Sequence, residues 1–214
     1  MIKLLCFDLD GTIIDTLYSI AVSMNDALKF YGYEESKTEE YINYIGNGID
    51  EITLKAMKIK EKNDDFDKIK TLYEQNYQKN QIPLAKVWPN MPEVLEELKG
   101  RGYILTCISN KPDKNVKEMV EHFYPGLFSY IQGYSASIIA KPHQRHLEIM
   151  AEKFGLTNRE VAYIGDSRVD EAFAHNYGCD LYLVTYGYEK KDVLFGFKPV
   201  KFIDSTKELL EVFK

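Results

Sequence analysis

The sequence predicts an α/β fold, a doubly wound parallel sheet of the Rossmann-like kind, with an all-helical segment inserted near the N-terminus. Two observations predict the sheet. Short apolar runs alternate with amphipathic patterns, and these runs are almost continuously apolar, as in strands that are buried on both faces. A third observation predicts the insertion, because helical patterns follow one another after the first strand and no strand-like run interrupts them. We therefore expect a catalytic α/β core from residues 1–14 and 86–214, and a small helical domain from residues 15–85.

Six apolar runs are predicted strands. Four of them are strongly and continuously apolar, and the other two are weaker: residues 2–8, 103–109, 160–166 and 180–187, then 128–135 and 200–204. Between them lie stretches in which apolar residues recur at helical spacing, some of them bounded by proline or glycine. These are the predicted helices: residues 91–102, 112–123, 142–155, 168–178 and 205–213 in the core, and 16–33, 48–60 and 65–80 in the inserted domain.

Composition argues against a general nucleic-acid or anionic-membrane binder. The 27 basic and 33 acidic side chains give a net charge of −6, whereas proteins that bind nucleic acids or anionic membranes need a basic face. We predict neither a targeting segment nor a transmembrane span. The cysteines are odd in number and include no Cys-x-x-Cys pair, so Cys6, Cys107 and Cys179 are predicted to be reduced thiols, and the protein is predicted to be cytoplasmic.

Polar side chains follow several predicted strands at the point where each strand ends. The carboxyl ends of parallel strands meet at one edge of a sheet, where ligands bind, and the residues expected there are Asp8, Asp10, Ser109, Asn110, Lys141, Asp166 and Asp170. Clustered carboxylates require a cation, and hard oxygen ligands suit Mg²⁺ better than zinc. A lysine and a serine at the same edge suit a phosphoryl group, and an aspartate can act as the nucleophile in its transfer.

Four short motifs carry a family resemblance. They occur in the order Asp8-Leu9-Asp10-Gly11-Thr12, Ser109-Asn110, Lys141-Pro142 and Gly165-Asp166-Ser167-x-x-Asp170. In this order the chain resembles the haloacid dehalogenase-like superfamily, and most closely its phosphoglycolate phosphatase-like branch. The resemblance covers nearly the whole chain, since residues 15–85 look like the small helical cap domain of that family.

The resemblance implies roles for the carboxylates. Asp8 would attack phosphorus and also bind Mg²⁺. Asp10 would protonate the leaving group and then activate water, while its backbone carbonyl contacts the metal. Asp166 would bind the metal directly, and Asp170 would support the metal ligands from behind. Relatives that act as dehalogenases lack an acid at the position of Asp10, so its presence favours phosphate chemistry.

The resemblance also implies groups that bind the substrate. Ser109 and Asn110 would hold phosphoryl oxygens, and Lys141 would supply positive charge. The backbone amides of Gly11 and Thr12 would approach the phosphate. In the cap, the loop containing Gly46 and Asn47 is predicted to contact the substrate.

Three further groups have plainer interpretations. Asp15 is expected to cap the helix that follows it. Whether Asp15, Ser167 or Asp170 contacts the metal directly remains open. His143 and His146 are three residues apart, but they open an exposed-looking helix without a third ligand, so we expect them on the solvated surface.

The predicted function is that of a Mg²⁺-dependent phosphatase acting on a small phosphorylated metabolite through an aspartyl-phosphate, with 2-phosphoglycolate as the leading candidate. The same motifs also serve β-phosphoglucomutase-like mutases, pyrophosphatases and nucleotidases. An alternative from another class is a phosphoacceptor regulatory module, which needs neither Asp10 nor a cap. The predicted assembly is a monomer or a weak homodimer.

Overall fold

A six-stranded parallel sheet forms the centre of the molecule, and the computed structural model describes all residues, 1–214. The strands are β1 (Leu4–Phe7), β2 (Ile14–Asp15), β3 (Lys86–Val87), β4 (Ile104–Pro112), β5 (Tyr130–Tyr134), β6 (Val161–Gly165), β7 (Asp180–Val184) and β8 (Lys201–Ile203). Six of them pair in parallel in the order β5-β4-β1-β6-β7-β8, so β1 lies between β4 and β6. All six predicted strands are present, and the predicted fold class is confirmed.

Helices follow most of these strands. They are α1 (Leu17–Phe30), α2 (Ile49–Ala56), α3 (Phe66–Asn80), α4 (Met91–Gly100), α5 (Asp113–Phe123), α6 (Arg145–Phe154), α7 (Arg168–Tyr177), α8 (Lys191–Leu194) and α9 (Glu208–Val212). Helices α4, α5 and α9 cover one face of the sheet, and α6 and α7 cover the other. Alternate residues of β1 enter opposite layers: Leu5 and Phe7 pack on the first face, whereas Leu4 and Cys6 pack on the second.

Helices α1, α2 and α3 lie in the helical insertion, which we define as residues 16–85. Its apolar side chains form their own cluster, in which Ile20, Met24, Ile69 and Tyr73 are buried. The chain leaves the core through β2 and returns through β3, and these two strands pair antiparallel with Asp15 opposite Lys86. The boundaries of the insertion therefore lie side by side on the core.

Two details differ from the sequence-based expectations. The helix predicted from residue 142 begins only at Arg145, because the preceding segment is held on β4 by Asn110, which bonds the backbone of Lys141. His146 is buried rather than solvated, since it lies on the face of α6 that packs towards the sheet. The three cysteines are free thiols, as predicted. None of the helices combines the length and the apolar character needed to span a bilayer.

Candidate active site

The carboxyl ends of three neighbouring strands bring the predicted site residues together. Asp8 and Asp10 follow β1, Ser109 and Asn110 lie near the end of β4, and Asp166 follows β6. Asp8, Asp10, Ser109 and Asp166 are all buried and line one cavity. This arrangement results from the strand order, because β1 lies between β4 and β6 and all three run in the same direction.

Lys141 reaches this cavity from the segment that precedes α6. Its Nζ lies 2.8 Å from Asp8 Oδ1, 2.8 Å from Asp170 Oδ1 and 3.0 Å from the Tyr163 hydroxyl. Burial acts to lower the pKa of Lys141, but the two carboxylates outweigh it and raise that pKa above its ordinary value. The ammonium group is therefore charged and compensates one of the carboxylates at the edge of the sheet.

Asp8 and Asp166 carry more negative charge than one lysine can balance. Burial raises the pKa of Asp8 to about 7, and the neighbouring Asp170 and Asp10 add to this effect while Lys141 opposes it. Burial and the same kind of repulsion raise the pKa of Asp166 well above its usual range. Both carboxyls would ionise readily beside a bound cation, because a cation would offset both causes.

The donor set fits a magnesium ion. One carboxylate oxygen from each of Asp8, Asp166 and Asp170 lies within 4.8 Å of the others, and hard oxygen donors are what Mg²⁺ prefers. Asp170 is already committed, since its Oδ1 bonds Lys141 and Tyr163 and its Oδ2 accepts from Ser167 and from the Asp166 backbone. Asp8 and Asp166 are therefore the side chains that fit as direct ligands, with Asp170 holding Lys141 and the α7 terminus in place.

Asp166 is packed between two glycines. A Cβ at Gly11 would overlap Asp166 Oδ2, and a Cβ at Gly187 would overlap the Asp166 side chain as well. Thr12 Oγ1 donates to Asp166 Oδ1 at 3.2 Å, and the Tyr188 backbone N–H donates to Oδ2 at 2.7 Å. The side chain of Thr12 thus orients Asp166; the predicted role of Gly11 and Thr12 in approaching the phosphate stays a prediction.

The Asn110 side chain forms hydrogen bonds to the protein backbone, whereas the resemblance predicts that it binds phosphoryl oxygens. Its Nδ2 donates to the Gly46 carbonyl at 2.9 Å and to the Lys141 carbonyl at 3.0 Å, and its Oδ1 accepts from the Lys141 N–H at 2.8 Å. The side chain connects the helical insertion to the segment that carries Lys141. Gly46 and its neighbour Asn47 line the cavity, and their contact with a substrate stays a prediction.

Asp15 and Ser167 hold helix termini. Asp15 Oδ1 accepts from the Leu17 N–H at 3.2 Å and from the Tyr188 hydroxyl at 2.9 Å. Ser167 is the N-cap of α7 and forms a capping box with Asp170. Neither residue belongs to the group of carboxylates that could share a metal ion.

Two further residues of the cavity were not among the predicted site residues. Lys111 Nζ lies 3.1 Å from Asp10 Oδ1 and 4.6 Å from the centre of the Tyr77 ring. Tyr188 connects Asp166 to the start of α1 through the bonds described above. Lys111 directly follows Ser109-Asn110, and that position was a usable signal, whereas no local pattern marks Tyr188.

The cavity has a volume of about 400 Å³ and lies between the core and the helical insertion. The insertion contributes apolar and aromatic side chains, the glycine loop, Lys55 and Glu74, and the core contributes most of the charged groups. A cavity of this size encloses a small metabolite rather than a polymer.

Comparisons with known proteins agree with this geometry. A family model described as haloacid dehalogenase-like hydrolase matches residues 5–184. A phosphoglycolate phosphatase from Pasteurella multocida is 33% identical over 218 residues, which cover 98% of this chain and 97% of the relative. A phosphoglycolate phosphatase from Vibrio parahaemolyticus is also 33% identical over 218 residues, which cover 99% of this chain and 96% of the relative.

A solved structure shows the same architecture. The crystal structure of a predicted phosphoglycolate phosphatase from Haemophilus somnus 129PT matches with a TM-score of 0.92 and 32% identity, covering 100% of this chain and 98% of that one. A parallel sheet whose carboxyl edge gathers acidic residues and a buried lysine is the architecture that the four sequence motifs predict. The chain belongs to the haloacid dehalogenase-like hydrolase family, and the resemblance noted from its motifs is confirmed.

Proposed function

We propose that this protein is a phosphatase that hydrolyses a small phosphate monoester through an aspartyl-phosphate on Asp8, and that 2-phosphoglycolate is its substrate. The observation that carries the proposal is the position of Asp8 beside Lys141, with Asp10 held nearby by Lys111 and Thr16. The names of the relatives from Pasteurella multocida and Vibrio parahaemolyticus support the choice of 2-phosphoglycolate.

In the first half of the reaction, Asp8 attacks phosphorus and Asp10 gives a proton to the departing ester oxygen. Lys141 donates a hydrogen bond to Asp8 Oδ1, whereas Asp8 Oδ2 makes no hydrogen bond within the protein. Oδ2 is therefore the oxygen available for attack. Lys141 also stabilises negative charge on the phosphoryl oxygens. In the second half, Asp10 takes a proton from water, which attacks the aspartyl-phosphate and releases phosphate.

Asp8, Asp166 and the backbone carbonyl of Asp10 would hold Mg²⁺. Such an ion would offset the charge of the transferring phosphoryl group and of the carboxylates around it. Mg²⁺ is chosen because the donors are oxygens only and neither histidine nor cysteine lies among them.

The helical insertion would act as the cap. It covers the cavity and meets the core at Asn110, where the Gly46 carbonyl accepts a hydrogen bond. A closed cap excludes bulk water and limits the size of the substrate, and this favours a small metabolite. A regulatory phosphoacceptor module has no use for such a cover.

The test compares wild-type protein with Asp8→Asn in the release of phosphate from 2-phosphoglycolate and p-nitrophenyl phosphate with Mg²⁺ present. We expect Asp8→Asn to lower kcat by about 1,000-fold or more, because the amide is not a nucleophile of comparable strength. EDTA should abolish the wild-type activity, and added Mg²⁺ should restore it. Asp67→Asn, which replaces an exposed carboxylate on α3, is the matched control and should behave like wild type.

A panel of phosphorylated metabolites ranked by kcat/KM then separates the candidate substrates. A higher kcat/KM for pyrophosphate or a nucleotide, or conversion of β-glucose 1-phosphate to an isomer, would contradict the proposed substrate. A phosphorylated form that persists for minutes would indicate the regulatory module instead. The proposed assembly, a monomer or weak homodimer, is checked by its mass in solution.

A further inference from the structure

Lys111 is a buried cation whose surroundings leave it free to bind a ligand. Its side chain is only 6% exposed and lies at the end of β4, on the wall of the cavity. Asp10 is its only ion-pair partner, and the ring of Tyr77 lies under the ammonium group. An ammonium group donates three hydrogen bonds, so donors remain after the bond to Asp10. Burial of such a group is costly unless an anion compensates it.

Other basic side chains of the cavity are engaged elsewhere. Lys141 is held by two carboxylates and by Tyr163. Lys55 pairs with Glu51 at 3.2 Å and donates to the Asn43 carbonyl. Arg168 pairs with Glu189, and its side chain is 63% exposed at the mouth of the cavity. Lys111 is therefore the buried basic group in the cavity that has capacity for a second anion.

The position of Lys111 relative to Asp10 specifies where that anion lies in the substrate. If Asp10 protonates the ester oxygen, whatever is bonded to that oxygen sits directly beside Asp10. Lys111 Nζ is 3.1 Å from Asp10 Oδ1, so a group bonded to the carbon next to the ester oxygen would come within its reach. A carboxylate attached to that carbon would lie within hydrogen-bond distance of the ammonium group. A carboxylate at the far end of a longer chain would lie beyond it.

We propose that Lys111 binds the carboxylate of the substrate and thereby selects 2-phosphooxy carboxylates, in which one carbon separates the ester oxygen from the carboxylate. This inference rests on the proposed phosphatase function and deepens it. Tyr77 belongs to α3 of the helical insertion, so its ring lies against Lys111 when the insertion covers the core as in this structure. The face of the Tyr77 ring stabilises the ammonium group at the wall of the cavity.

The experiment uses two substrates that differ only in the group of interest. 2-Phosphoglycolate and ethyl phosphate share the phosphate and the methylene, but the first carries a carboxylate where the second carries a methyl group. We expect wild-type protein to favour 2-phosphoglycolate in kcat/KM. Lys111→Met should lower kcat/KM for 2-phosphoglycolate by about 10- to 100-fold more than for ethyl phosphate, mainly through KM, because a charge-assisted hydrogen bond is lost.

The variant Lys111→Arg keeps the charge and should retain part of the preference for the carboxylate. Lys55→Met removes another lysine of the cavity wall and should leave the ratio of the two kcat/KM values at its wild-type level. Lys111→Gln, with a thermal unfolding curve for each variant, provides a second neutral substitution in case Lys111→Met does not fold.

Each result has a definite meaning. If kcat/KM falls by the same factor for both substrates, Lys111 acts only through Asp10 and the inference is wrong. A wild-type enzyme without preference for 2-phosphoglycolate over ethyl phosphate also contradicts it. If wild-type protein hydrolyses neither substrate, the proposed phosphatase function itself fails, and that outcome differs visibly from an unchanged ratio.

Discussion

Gly11 shows how one residue serves both the backbone and the site. Its φ is +83°, in the region that residues with a side chain avoid, and the turn it forms carries the chain away from Asp10. The missing side chain also leaves room for the Asp166 carboxylate and for the ring of Tyr188. The glycine that follows the paired aspartates is therefore needed for the position of a proposed metal ligand as well as for the turn.

Gly11→Ala is expected to weaken Mg²⁺ binding. The added Cβ must displace Asp166, so the Mg²⁺ concentration for half-maximal activity should rise by about tenfold or more, since metal affinity depends on ligand orientation. The matched control is Gly32→Ala, because Gly32 also has a positive φ of +76° but no atom lies within 4 Å of its added Cβ. Both variants should lose about 1 kcal/mol of unfolding free energy from backbone strain. Equal Mg²⁺ requirements in the two variants would contradict the role of Gly11.

At the scale of elements, the loop after β7 joins the site to the first helix of the insertion. The Tyr188 hydroxyl accepts from the Thr16 N–H at 2.6 Å and from the Leu17 N–H at 2.9 Å, and donates to Asp15. These N–H groups begin α1 and have no partner within the helix. The backbone N–H of Tyr188 meanwhile holds Asp166. One loop residue thus contacts both the first turn of α1 and a carboxylate of the site.

Tyr188→Phe is expected to disturb the start of α1 while leaving the ring in place. The Thr16 N–H loses its acceptor and the Leu17 N–H keeps only Asp15 Oδ1, so the unfolding free energy should fall by about 1–3 kcal/mol. We also expect a lower kcat, because the insertion would be less firmly placed over the cavity. Tyr186→Phe is the control in the same loop, since the Tyr186 hydroxyl bonds only the Thr12 carbonyl, at 3.3 Å. A kcat for Tyr188→Phe equal to that of Tyr186→Phe would rule out this role.

The elements that the sequence predicts are those with a repeating local pattern. The strands β1, β4, β6 and β7 are mostly buried on both faces, so their apolar runs are nearly continuous. The edge strands β5 and β8 are less buried and have weaker runs, and the long helices have an apolar stripe. The strands β2 and β3 have two residues each, too few to show any period. Helix α6 begins later than Pro142 suggests because Asn110, distant in sequence, holds the preceding backbone.

The site residues also divide into those that a local motif marks and those whose role depends on contacts with distant segments. Asp8, Asp10, Asp166 and Lys141 lie in short motifs that sequence alone can show, and strand order then explains why they meet. The burial of Lys111 depends on Asp10 and on Tyr77, which are far from it along the chain. The contacts of Tyr188 depend in the same way on how the loop after β7 packs against α1. The sequence alone does not identify such residues, because their contacts form only when the fold brings distant segments together.

At the scale of the whole molecule, the hydrophobic core is divided. Two clusters lie on the two faces of the sheet, and the third contains residues of the helical insertion alone. Hydrogen bonds connect the insertion to the core: Gln78 and Gln81 both donate to Glu118, and Asn110 donates to Gly46. A polar contact of this kind separates more readily than a hydrophobic core.

The divided core predicts that the α/β part folds without the insertion. A chain in which a short glycine-containing turn joins Asp15 to Lys86 should unfold cooperatively in urea, because the sheet and both of its helical layers remain. It should lose most of its kcat/KM for 2-phosphoglycolate, since the cavity loses one wall and Lys111 loses Tyr77. A non-cooperative transition, or kcat/KM close to that of the full chain, would contradict this division.

The pairing of β2 with β3 has a consequence for how such proteins can change. Since Asp15 and Lys86 stand opposite each other, the points of exit and return are the two arms of a hairpin, and the sheet is continuous without whatever lies between them. A gene segment encoding a different helical unit could be inserted there without altering the strand order. The cavity wall that the insertion contributes, with Tyr77, and the carboxylates at the edge of the sheet are therefore encoded in separate stretches of the gene.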